Sequence, residues 1–420
     1  MKVRITPSKL EGTVVIPPSK SLSHRAIIAA GLANGKSIIS NIMYSKDIIA
    51  TIGAMRAIGA DIIEHDNYLE ITGSKVKRIS DVIDANESGS TIRFMIPIAM
   101  TIPDKITFIG KNNLCKRPLD SFFEIFDKKN IKYKRKEDYL PLEVEGKLTP
   151  GEYEIRGDIS SQFITGLLYA LPLLDGDSVI NITTPMESKG YIDLTIDMLK
   201  LFGIEIINDN YEKFIVKGNQ EYKAHNYMVE GDFSQSAFFL VADMLGANIK
   251  LKAMNMHSHQ GDKKIISDVE NFGGIIDYSD EELSVKSDKV KNTIIDFSQS
   301  PDLGPALTVL AQLAEGTTKF INASRLRIKE CDRITCMKEE LEKLGGSIDE
   351  MPDGMIIYGV NRLHGGVVNS HNDHRVVMAL AMATLRMDGD LVIENAEAIT
   401  KSFPNFFEVF ESLGGKIKYE

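Results

Sequence analysis

The chain repeats one pattern about every seventy residues. Each copy predicts an amphipathic helix, a helix stop, a strand, a turn rich in Asp and Asn, and a second strand, most clearly at residues 47–73 and 191–218. The expected helix stops are Gly59, Asn130, Gly203, Gly273, Gly345 and Gly414, with gaps of 71, 73, 70, 72 and 69 residues. Gly and Asn both tolerate the left-handed backbone conformation that ends many helices. The spacing therefore indicates six copies of one unit, which bury their apolar faces against one another.

The repeats also predict the domain organisation. A chain of 420 residues is too long for one ordinary core, so we expect two α/β domains of three repeats each. The last copy ends after one strand, and residues 2–5 have the pattern of the strand that it lacks. We therefore expect residues 1–18 and 231–420 to form one domain and residues 19–230 the other. The chain would then cross between the domains twice, which makes a two-stranded hinge.

The composition is that of a globular protein. Apolar residues make up 43% and charged residues 26% of the chain, and the formal net charge is −10. Broad nucleic-acid binding needs a basic face, so we expect no nucleic-acid partner. No apolar run reaches the ~18 residues of a membrane span, so we expect a cytoplasmic protein without a membrane partner. The three cysteines are too few and too scattered to favour disulfides or a zinc site.

Six expected helix starts lie between the repeat copies, at a similar spacing. They are marked by Lys20, Gly89, Ser160, Ser234, Asp302 and Asp373. Ser and Asp at such positions are ordinary helix caps. Lys20, Arg25, Arg93 and Arg375, however, place positive charge in or near first turns, where the helix dipole is already positive. This arrangement makes sense if an anion binds there. Three such starts in each domain, aimed at the other domain, predict an anion site in the interdomain cleft.

Seven segments resemble the motifs of the EPSP synthases, an enolpyruvyltransferase family, in the family's order along nearly the whole chain. They are PSKSLSHR (18–25), ESGSTIR (87–93), GDISSQF (157–163), SKGY (188–191), RIKECDR (327–333), NDHR (372–375) and KSFP (401–404). A single short motif would be weak, whereas seven in register are specific.

The resemblance implies a fold and a reaction. The fold is an inside-out α/β barrel of two similar domains, each with three βαβαββ-type repeats. The reaction moves the enolpyruvyl group of phosphoenolpyruvate to the 5-hydroxyl of shikimate 3-phosphate and releases phosphate, through a tetrahedral intermediate. The family serves the shikimate pathway to chorismate and aromatic amino acids and is the target of glyphosate. It implies two small-molecule substrates and no cofactor or metal, and we expect a monomer.

The resemblance also assigns roles, residue by residue. The expected ligands of shikimate 3-phosphate are Lys20, Ser21, Arg25, Ser160, Ser161, Gln162, Ser188, Tyr191, Asp302 and Lys329. The expected ligands of phosphoenolpyruvate are Lys20, Gly89, Gln162, Arg333, Arg375 and Lys401, with Arg117 as a further candidate. Addition and elimination need a base near the hydroxyl and a proton carrier near the methylene. Asp302 is the expected base and Glu330 the expected proton carrier, and Lys20 could serve either substrate.

The sequence departs from the family pattern at three positions. Asn113 stands where a basic residue usually contacts phosphoenolpyruvate, and Lys111 or Lys116 could substitute for it. Glu87 and Arg325 each stand where many members carry Asn. These departures leave substrate affinity and the response to glyphosate open.

Two other functions are alternatives. UDP-N-acetylglucosamine enolpyruvyltransferase shares the fold and the donor and keeps a reactive cysteine near the position of Cys115. Here, however, only Lys116 separates Cys115 from Arg117-Pro118, so we interpret Cys115 as an ordinary loop residue. A nucleic-acid protein with similar repeats, such as a sliding clamp or a relative of RNA 3′-phosphate cyclase, is opposed by the acidic net charge.

Overall fold

The computed structural model describes all 420 residues, and they form two compact units. The N-terminal unit is Pro18–Val229, and the C-terminal unit combines Met1–Pro17 with Glu230–Glu420. The chain therefore passes from one unit to the other twice. No helix in either unit has the length and apolar character required to span a lipid bilayer.

Twelve α-helices alternate with short strands. The helices are α1 (Lys20–Leu32), α2 (Lys46–Ala57), α3 (Gly89–Ala99), α4 (Asp120–Lys129), α5 (Ser161–Ala170), α6 (Lys189–Leu201), α7 (Phe233–Met244), α8 (Ile265–Asn271), α9 (Gly304–Gln312), α10 (Arg333–Lys343), α11 (His374–Ala383) and α12 (Phe406–Ser412).

The strands are β1 (Lys2–Thr6), β2 (Glu11–Val15), β3 (Gly35–Ser40), β4 (Asp61–Glu64), β5 (Tyr68–Gly73), β6 (Val82–Asp84), β7 (Lys105–Ile109), β8 (Lys132–Arg135), β9 (Leu142–Glu145), β10 (Gly151–Ile155), β11 (Ser178–Ile182), β12 (Ile206–Asp209), β13 (Lys213–Val216), β14 (Tyr227–Met228), β15 (Asn248–Lys252), β16 (Ile275–Ser279), β17 (Glu282–Lys286), β18 (Ile294–Asp296), β19 (Thr317–Ile321), β20 (Ser347–Met351), β21 (Gly354–Tyr358), β22 (Gly366–Asn369), β23 (Leu391–Glu394) and β24 (Lys416–Tyr419).

The strands form six sheets of one design. The N-terminal unit holds the sheets β14-β3-β5-β4, β6-β7-β9-β8 and β10-β11-β13-β12, and the C-terminal unit holds β2-β15-β17-β16, β18-β19-β21-β20 and β22-β23-β1-β24. In every sheet the first two strands are parallel and the other neighbours are antiparallel. The predicted α/β fold of six repeats is confirmed.

The first strand of the chain lies inside the last of these sheets. β1 pairs antiparallel with β23 on one side and with β24 on the other, so that it takes the place of the second hairpin strand of the sixth repeat. Val3 and Ile5 on β1 are fully buried. The two ends of the chain are thus held in one sheet.

All six expected helix stops have the left-handed backbone conformation. Asn130 has a φ of 55°, and the five glycines have φ values between 81° and 110°. A non-glycine residue rarely adopts this conformation, and Asn is the side chain that does so most readily. The periodic stops are therefore a direct signature of the repeat.

One helix of each repeat is buried on all sides. These helices are α1, α3 and α5 in the N-terminal unit and α7, α9 and α11 in the C-terminal unit, and nearly all of their residues are inaccessible to solvent. Helices that are apolar around their whole circumference form the interior of a domain. Each unit therefore has a core of three helices, which is enclosed by its three sheets.

Five of these helices begin at a capping side chain. Ser19, Ser88, Ser160, Asp232 and Asp373 each accept a hydrogen bond from a backbone N–H of the first turn. The fifth start in chain order differs, because Asp302 lies in a 3-10 turn (Pro301–Leu303) that precedes α9. The residues at the cap positions of this turn and of α9, Ser300 and Leu303, make no side-chain capping bond.

Candidate active site

In the N-terminal unit, Lys20 forms a largely buried ion pair at the first residue of α1. Its Nζ atom lies 2.8 Å from Oδ2 of Asp47, in the first turn of α2. The Lys20 side chain is 16% exposed and that of Asp47 is 9% exposed. Breaking a buried ion pair leaves an unpaired charge behind, so Asp47 holds the Lys20 side chain in place. The sequence prediction included Lys20 and missed Asp47.

Arg25, about one turn further along α1, is buried, and each of its three guanidinium nitrogens donates a hydrogen bond. Its Nε donates to Thr195 Oγ1 at 2.9 Å, its Nη1 to the Ser21 carbonyl at 2.8 Å and its Nη2 to the Tyr191 carbonyl at 2.9 Å. The guanidinium also lies 5.3 Å from the centre of the Phe94 ring. Arg25 therefore brings together two predicted ligands of shikimate 3-phosphate, Ser21 and Tyr191, from helices far apart in the chain.

Gln162 connects the starts of α3 and α5. Its Nε2 donates to Ser90 Oγ at 2.9 Å, and its Oε1 accepts from Arg93 Nη1 at 2.8 Å. The backbone N–H of Gln162 donates to the cap residue Ser160 at 3.3 Å. These bonds fix the orientation of the Gln162 amide. Arg93, which stood out only as a cation in a first turn, is the residue that holds it.

The glycine at the start of α3 lies against an arginine. A Cβ atom added to Gly89 would lie 2.5 Å from Nη1 of Arg117 and 2.8 Å from its Cζ. Arg117 itself is buried, with 9% of its surface exposed. A side chain at position 89 would therefore displace the Arg117 guanidinium from the helix start, where backbone N–H groups and a planar cation can bind one anion.

Ser188 and Cys115 also have defined environments. Ser188 is fully buried and has a φ of 54°, so the surrounding structure holds a serine in the left-handed conformation directly before α6. Cys115 donates to the Gly110 carbonyl at 3.3 Å, and burial raises the pKa of its thiol. A thiol with a raised pKa is a poor nucleophile, which agrees with the interpretation of Cys115 as a loop residue.

In the C-terminal unit, three cations converge on Asp302. Its Oδ1 lies 2.9 Å from Arg333 Nη1 and 3.1 Å from Lys329 Nζ, and its Oδ2 lies 3.2 Å from Arg375 Nη2. The motifs RIKECDR and NDHR are therefore brought together around one carboxylate.

Arg333 is the centre of this group. It is 1% exposed, and besides Asp302 it donates from Nε to Asp373 Oδ2 at 2.8 Å and from Nη2 to Glu330 Oε2 at 2.8 Å. Three carboxylates around one buried guanidinium raise the pKa of Arg333, against the effect of burial. The two predicted catalytic carboxylates, Asp302 and Glu330, are thus joined through a predicted phosphoenolpyruvate ligand.

The charges of this cluster shift its pKa values in opposite directions. Arg375, Lys329 and Arg333 hold the pKa of Asp302 well below its usual range, although burial acts in the other direction. Burial lowers the pKa of Lys329 to about 8, against the opposing effect of Asp302. Near neutral pH Asp302 is therefore ionised and Lys329 is mostly charged.

Lys401 and Arg325 are two further buried cations of this unit. Lys401 is 5% exposed, and its Nζ donates to the Asn372 carbonyl at 2.6 Å, directly before the NDHR aspartate. Arg325 is also buried, and its Nη1 donates to the Ser298 carbonyl at 3.3 Å. An arginine at this position thus adds a cation to the unit where many relatives are expected to have Asn.

A buried carboxylate anchors the loop before Asp373. Oε1 of Glu340 lies 2.6 Å from His371 Nε2, Lys343 Nζ lies 2.8 Å from both of its oxygens, and its Oε2 accepts from the Asn369 backbone at 2.9 Å. Glu339, Glu340 and His371 lie close enough to offer atoms to a metal ion. The oxygens of Glu340 are already taken by these protein groups, so the cluster fits a structural anchor.

Comparison with known proteins identifies the family of the chain. Residues 5–410 match the sequence profile of the family described as EPSP synthase (3-phosphoshikimate 1-carboxyvinyltransferase).

The chain belongs to the EPSP synthase family.

Full-length relatives with the name 3-phosphoshikimate 1-carboxyvinyltransferase share about half of the sequence. One from Clostridium perfringens (strain ATCC 13124) is 51% identical over 422 residues and covers 100% of both chains. Another from Clostridioides difficile (strain 630) is 50% identical over 427 residues, covering 99% of this chain and 98% of the relative. The solved structure of EPSP synthase from Acinetobacter baumannii is 25% identical, covers 100% of both chains and superposes with a TM-score of 0.82. These matches confirm the predicted family and fold class and do not favour the UDP-N-acetylglucosamine enolpyruvyltransferase alternative.

Within each unit, most of the residues suggested by the EPSP synthase motifs lie in connected groups. The N-terminal unit contains Lys20, Ser21, Arg25, Gly89, Arg117, Ser160, Ser161, Gln162, Ser188 and Tyr191, and the C-terminal unit contains Asp302, Lys329, Glu330, Arg333, Arg375 and Lys401. The sequence analysis missed Asp47 and Thr195. Neither residue belongs to a motif. Each is a polar residue on a helix beside a motif, and the sequence offers no other indication of its role.

Proposed function

We propose that this chain transfers the enolpyruvyl group of phosphoenolpyruvate to the 5-hydroxyl of shikimate 3-phosphate and releases phosphate. The main support for the proposal is that several cations of the family motifs are buried. Arg25, Arg333 and Arg375 are each at most 5% exposed. Each substrate carries a phosphate and a carboxylate. Buried guanidinium groups suit these anions because they can donate two parallel hydrogen bonds to a carboxylate or a phosphate.

In this proposal the N-terminal unit supplies most ligands of shikimate 3-phosphate. Ser160, Ser161 and Ser188 donate hydroxyl hydrogen bonds to its phosphate, together with Lys329 of the C-terminal unit. Ser21 and Arg25 bind its carboxylate, and Gln162 and Tyr191 lie along its ring. The support is local geometry, since Arg25 already holds the backbone of Ser21 and Tyr191, and Gln162 is fixed by Arg93 and Ser90.

The proposed ligands of phosphoenolpyruvate are mostly cations. The proposed ligands are Lys20, Arg117, Arg333, Arg375 and Lys401, with the backbone N–H of Gly89 and the amide of Gln162. Arg117, which was only a further candidate in the sequence, is now proposed as a ligand because it packs on Gly89. It also supplies the positive charge that Asn113 does not.

The proposed chemistry is addition followed by elimination. Glu330, which is paired with Arg333 in the ligand-free enzyme, enters the reaction in its protonated form in this scheme. The 5-oxygen attacks the enol carbon and loses its proton to Asp302, while the methylene carbon gains a proton from Glu330 and becomes a methyl group. The resulting tetrahedral ketal then loses phosphate, which leaves with the proton held by Asp302, and Glu330 takes a proton back from the methyl group to restore the double bond. Lys20, held in place by Asp47, stabilises the negative charge that develops on the substrates.

The low pKa of Asp302 means that substrate binding has to raise this pKa before Asp302 can act as the base. A carboxyl group whose pKa lies far below neutrality is a weak base. When the anionic groups of the substrates bind Arg333, Arg375 and Lys329, these cations are shared with the ligand. These cations then stabilise the ionised form of Asp302 less, and the pKa of Asp302 rises toward the ordinary value. Substrate binding would thus activate the base.

A comparison of acceptors tests the proposal. Phosphate release from phosphoenolpyruvate is followed with shikimate 3-phosphate, with UDP-N-acetylglucosamine, and without acceptor. The proposal predicts rapid release with shikimate 3-phosphate alone. Release with UDP-N-acetylglucosamine and not with shikimate 3-phosphate would overturn it.

We also propose that the enzyme acts as a cytoplasmic monomer on these two small molecules, without a nucleic-acid or membrane partner. Its acidic net charge of −10 opposes binding to polyanions. Light scattering on a size-exclusion column tests the oligomeric state, and a dimer mass would contradict it.

A further inference from the structure

In the C-terminal unit, an arginine binds the carboxyl-terminal ends of the core helices. Arg386 follows α11 in the 3-10 turn Thr384–Arg386. Its Nε donates to the Leu245 carbonyl at 3.3 Å, just after α7, and its Nη1 donates to the Leu313 carbonyl at 3.4 Å, just after α9. The last carbonyls of a helix lack intrahelical partners and carry partial negative charge. One guanidinium therefore joins the ends of α7 and α9 to the turn that follows α11.

The internal repeat identifies the corresponding place in the N-terminal unit. Leu32, Met100 and Leu173 each precede Leu245, Leu313 and Arg386 by 213 residues. Leu32 ends α1, Met100 follows α3, and Leu173 lies in the 3-10 turn Leu171–Leu173 after α5. The position of the arginine is thus occupied by a leucine, which cannot donate to helix carbonyls.

The N-terminal unit has a cavity of about 530 Å³ at this place. Leu32, Thr101 and Leu173 line it from the ends of the three core helices, and Lys75 and Glu221 line it from connecting segments. In the C-terminal unit the corresponding helix ends are bridged by the Arg386 side chain. Here the same helix ends face an open space.

The carbonyl that corresponds to that of Leu313 can take a further hydrogen bond. The Met100 carbonyl accepts from the Leu148 backbone at 2.8 Å, and a carbonyl oxygen has a second lone pair. The Glu221 side chain adds a full negative charge to the wall. Lys75 is exposed to solvent and opposes a second cation from one side of the cavity.

We propose that this cavity is a binding site for a small organic cation with a guanidinium or primary ammonium group. The group would bind the carbonyls at the ends of α1 and α3, as the side chain of Arg386 binds those at the ends of α7 and α9 in the other unit. The proposal is independent of the proposed function, since none of its residues belongs to the catalytic groups.

Methylguanidine is a suitable probe, because it reproduces the end of an arginine side chain. Its binding is measured by ligand-observed NMR and by calorimetry on the full-length protein. We expect saturable binding to the wild type. Leu173→Arg should abolish that binding because it fills the cavity from within, and the matched variant Arg386→Leu should add a second site. Binding that does not saturate, or that is unchanged in folded Leu173→Arg, would overturn the proposal.

Two exposed positions give a test that does not depend on substitutions in the interior. Glu221→Gln should weaken methylguanidine binding about two- to fivefold, and Lys75→Gln should strengthen it by a similar factor, as expected for charges near the surface. Equal affinities in the wild type and both variants would also overturn the proposal.

Discussion

Asp302→Asn separates chemistry from binding in the proposed mechanism. The substitution keeps the size of the side chain and its place in the turn before α9, but it removes the proposed proton acceptor. A positioned general base contributes ~10²–10⁴ to the rate. We therefore expect the turnover number to fall by ~10²–10⁴, which corresponds to about 3–5 kcal/mol in the activation free energy.

The charges around Asp302 predict a different effect on binding. In the ligand-free enzyme three cations face three carboxylates, so the cluster has almost no net charge. Asp302→Asn leaves it with one excess positive charge. The affinity for shikimate 3-phosphate should therefore stay the same or increase. Asp302 also raises the pKa of Lys329, so the variant should lower that pKa further below about 8.

Three measurements on the same folded sample test this prediction. Steady-state assays give the turnover number, calorimetry gives the affinity for shikimate 3-phosphate, and the pH dependence of kcat/KM reports the pKa of Lys329. Asp349→Asn is a matched control, because Asp349 is an exposed carboxylate of the same unit that accepts from the Tyr358 hydroxyl. If binding collapses while turnover stays near the wild-type value, Asp302 positions the substrate and is not the base.

Three further predictions follow from the structure. Gly89→Ala places a methyl group 2.5 Å from Arg117 Nη1, so it should raise the KM for phosphoenolpyruvate and weaken glyphosate inhibition more than it lowers turnover, and unchanged inhibition would contradict this. The kcat/KM for shikimate 3-phosphate should fall as pH rises through about 8, because Lys329 loses its proton there. Lys329→Arg should remove this decrease, since arginine keeps its proton. A kcat/KM of the wild type that does not change with pH would contradict the prediction. Ile5→Ala should lower the free energy of unfolding in urea by about 2–5 kcal/mol, because Ile5 is buried in the sheet that joins the chain ends, while exposed Val15→Ala should leave it unchanged; equal effects would refute the packing argument.

The repeat architecture could be predicted from the sequence because its signals are local. A helix stop needs a residue that tolerates positive φ, and this requirement made Gly59 and Asn130 recognisable in the same series. The unfinished sixth copy and the strand-like residues at the start of the chain pointed to the sheet that β1 enters. The motifs likewise identified most of the polar residues that the structure brings together.

The partners of those residues could not be predicted, because they depend on contacts between distant segments. Nothing near Lys20 in the sequence indicates that Asp47 neutralises it, and nothing near Gly89 indicates that Arg117 packs on it. The low pKa of Asp302 also needed the structure, since its three cations come from two motifs that lie elsewhere in the chain. A motif gives the residue type, whereas the charge state depends on which side chains meet.

The fate of a carbon label tests the central claim most directly. Phosphoenolpyruvate labelled with ¹³C in its three carbons is incubated with shikimate 3-phosphate and the enzyme, and the products are identified by NMR and mass spectrometry. The account predicts that the whole labelled unit becomes an enolpyruvyl ether on the 5-oxygen of shikimate 3-phosphate, with one phosphate released for each ether formed. Labelled pyruvate as the main product, or label on any other oxygen of the acceptor, would contradict it.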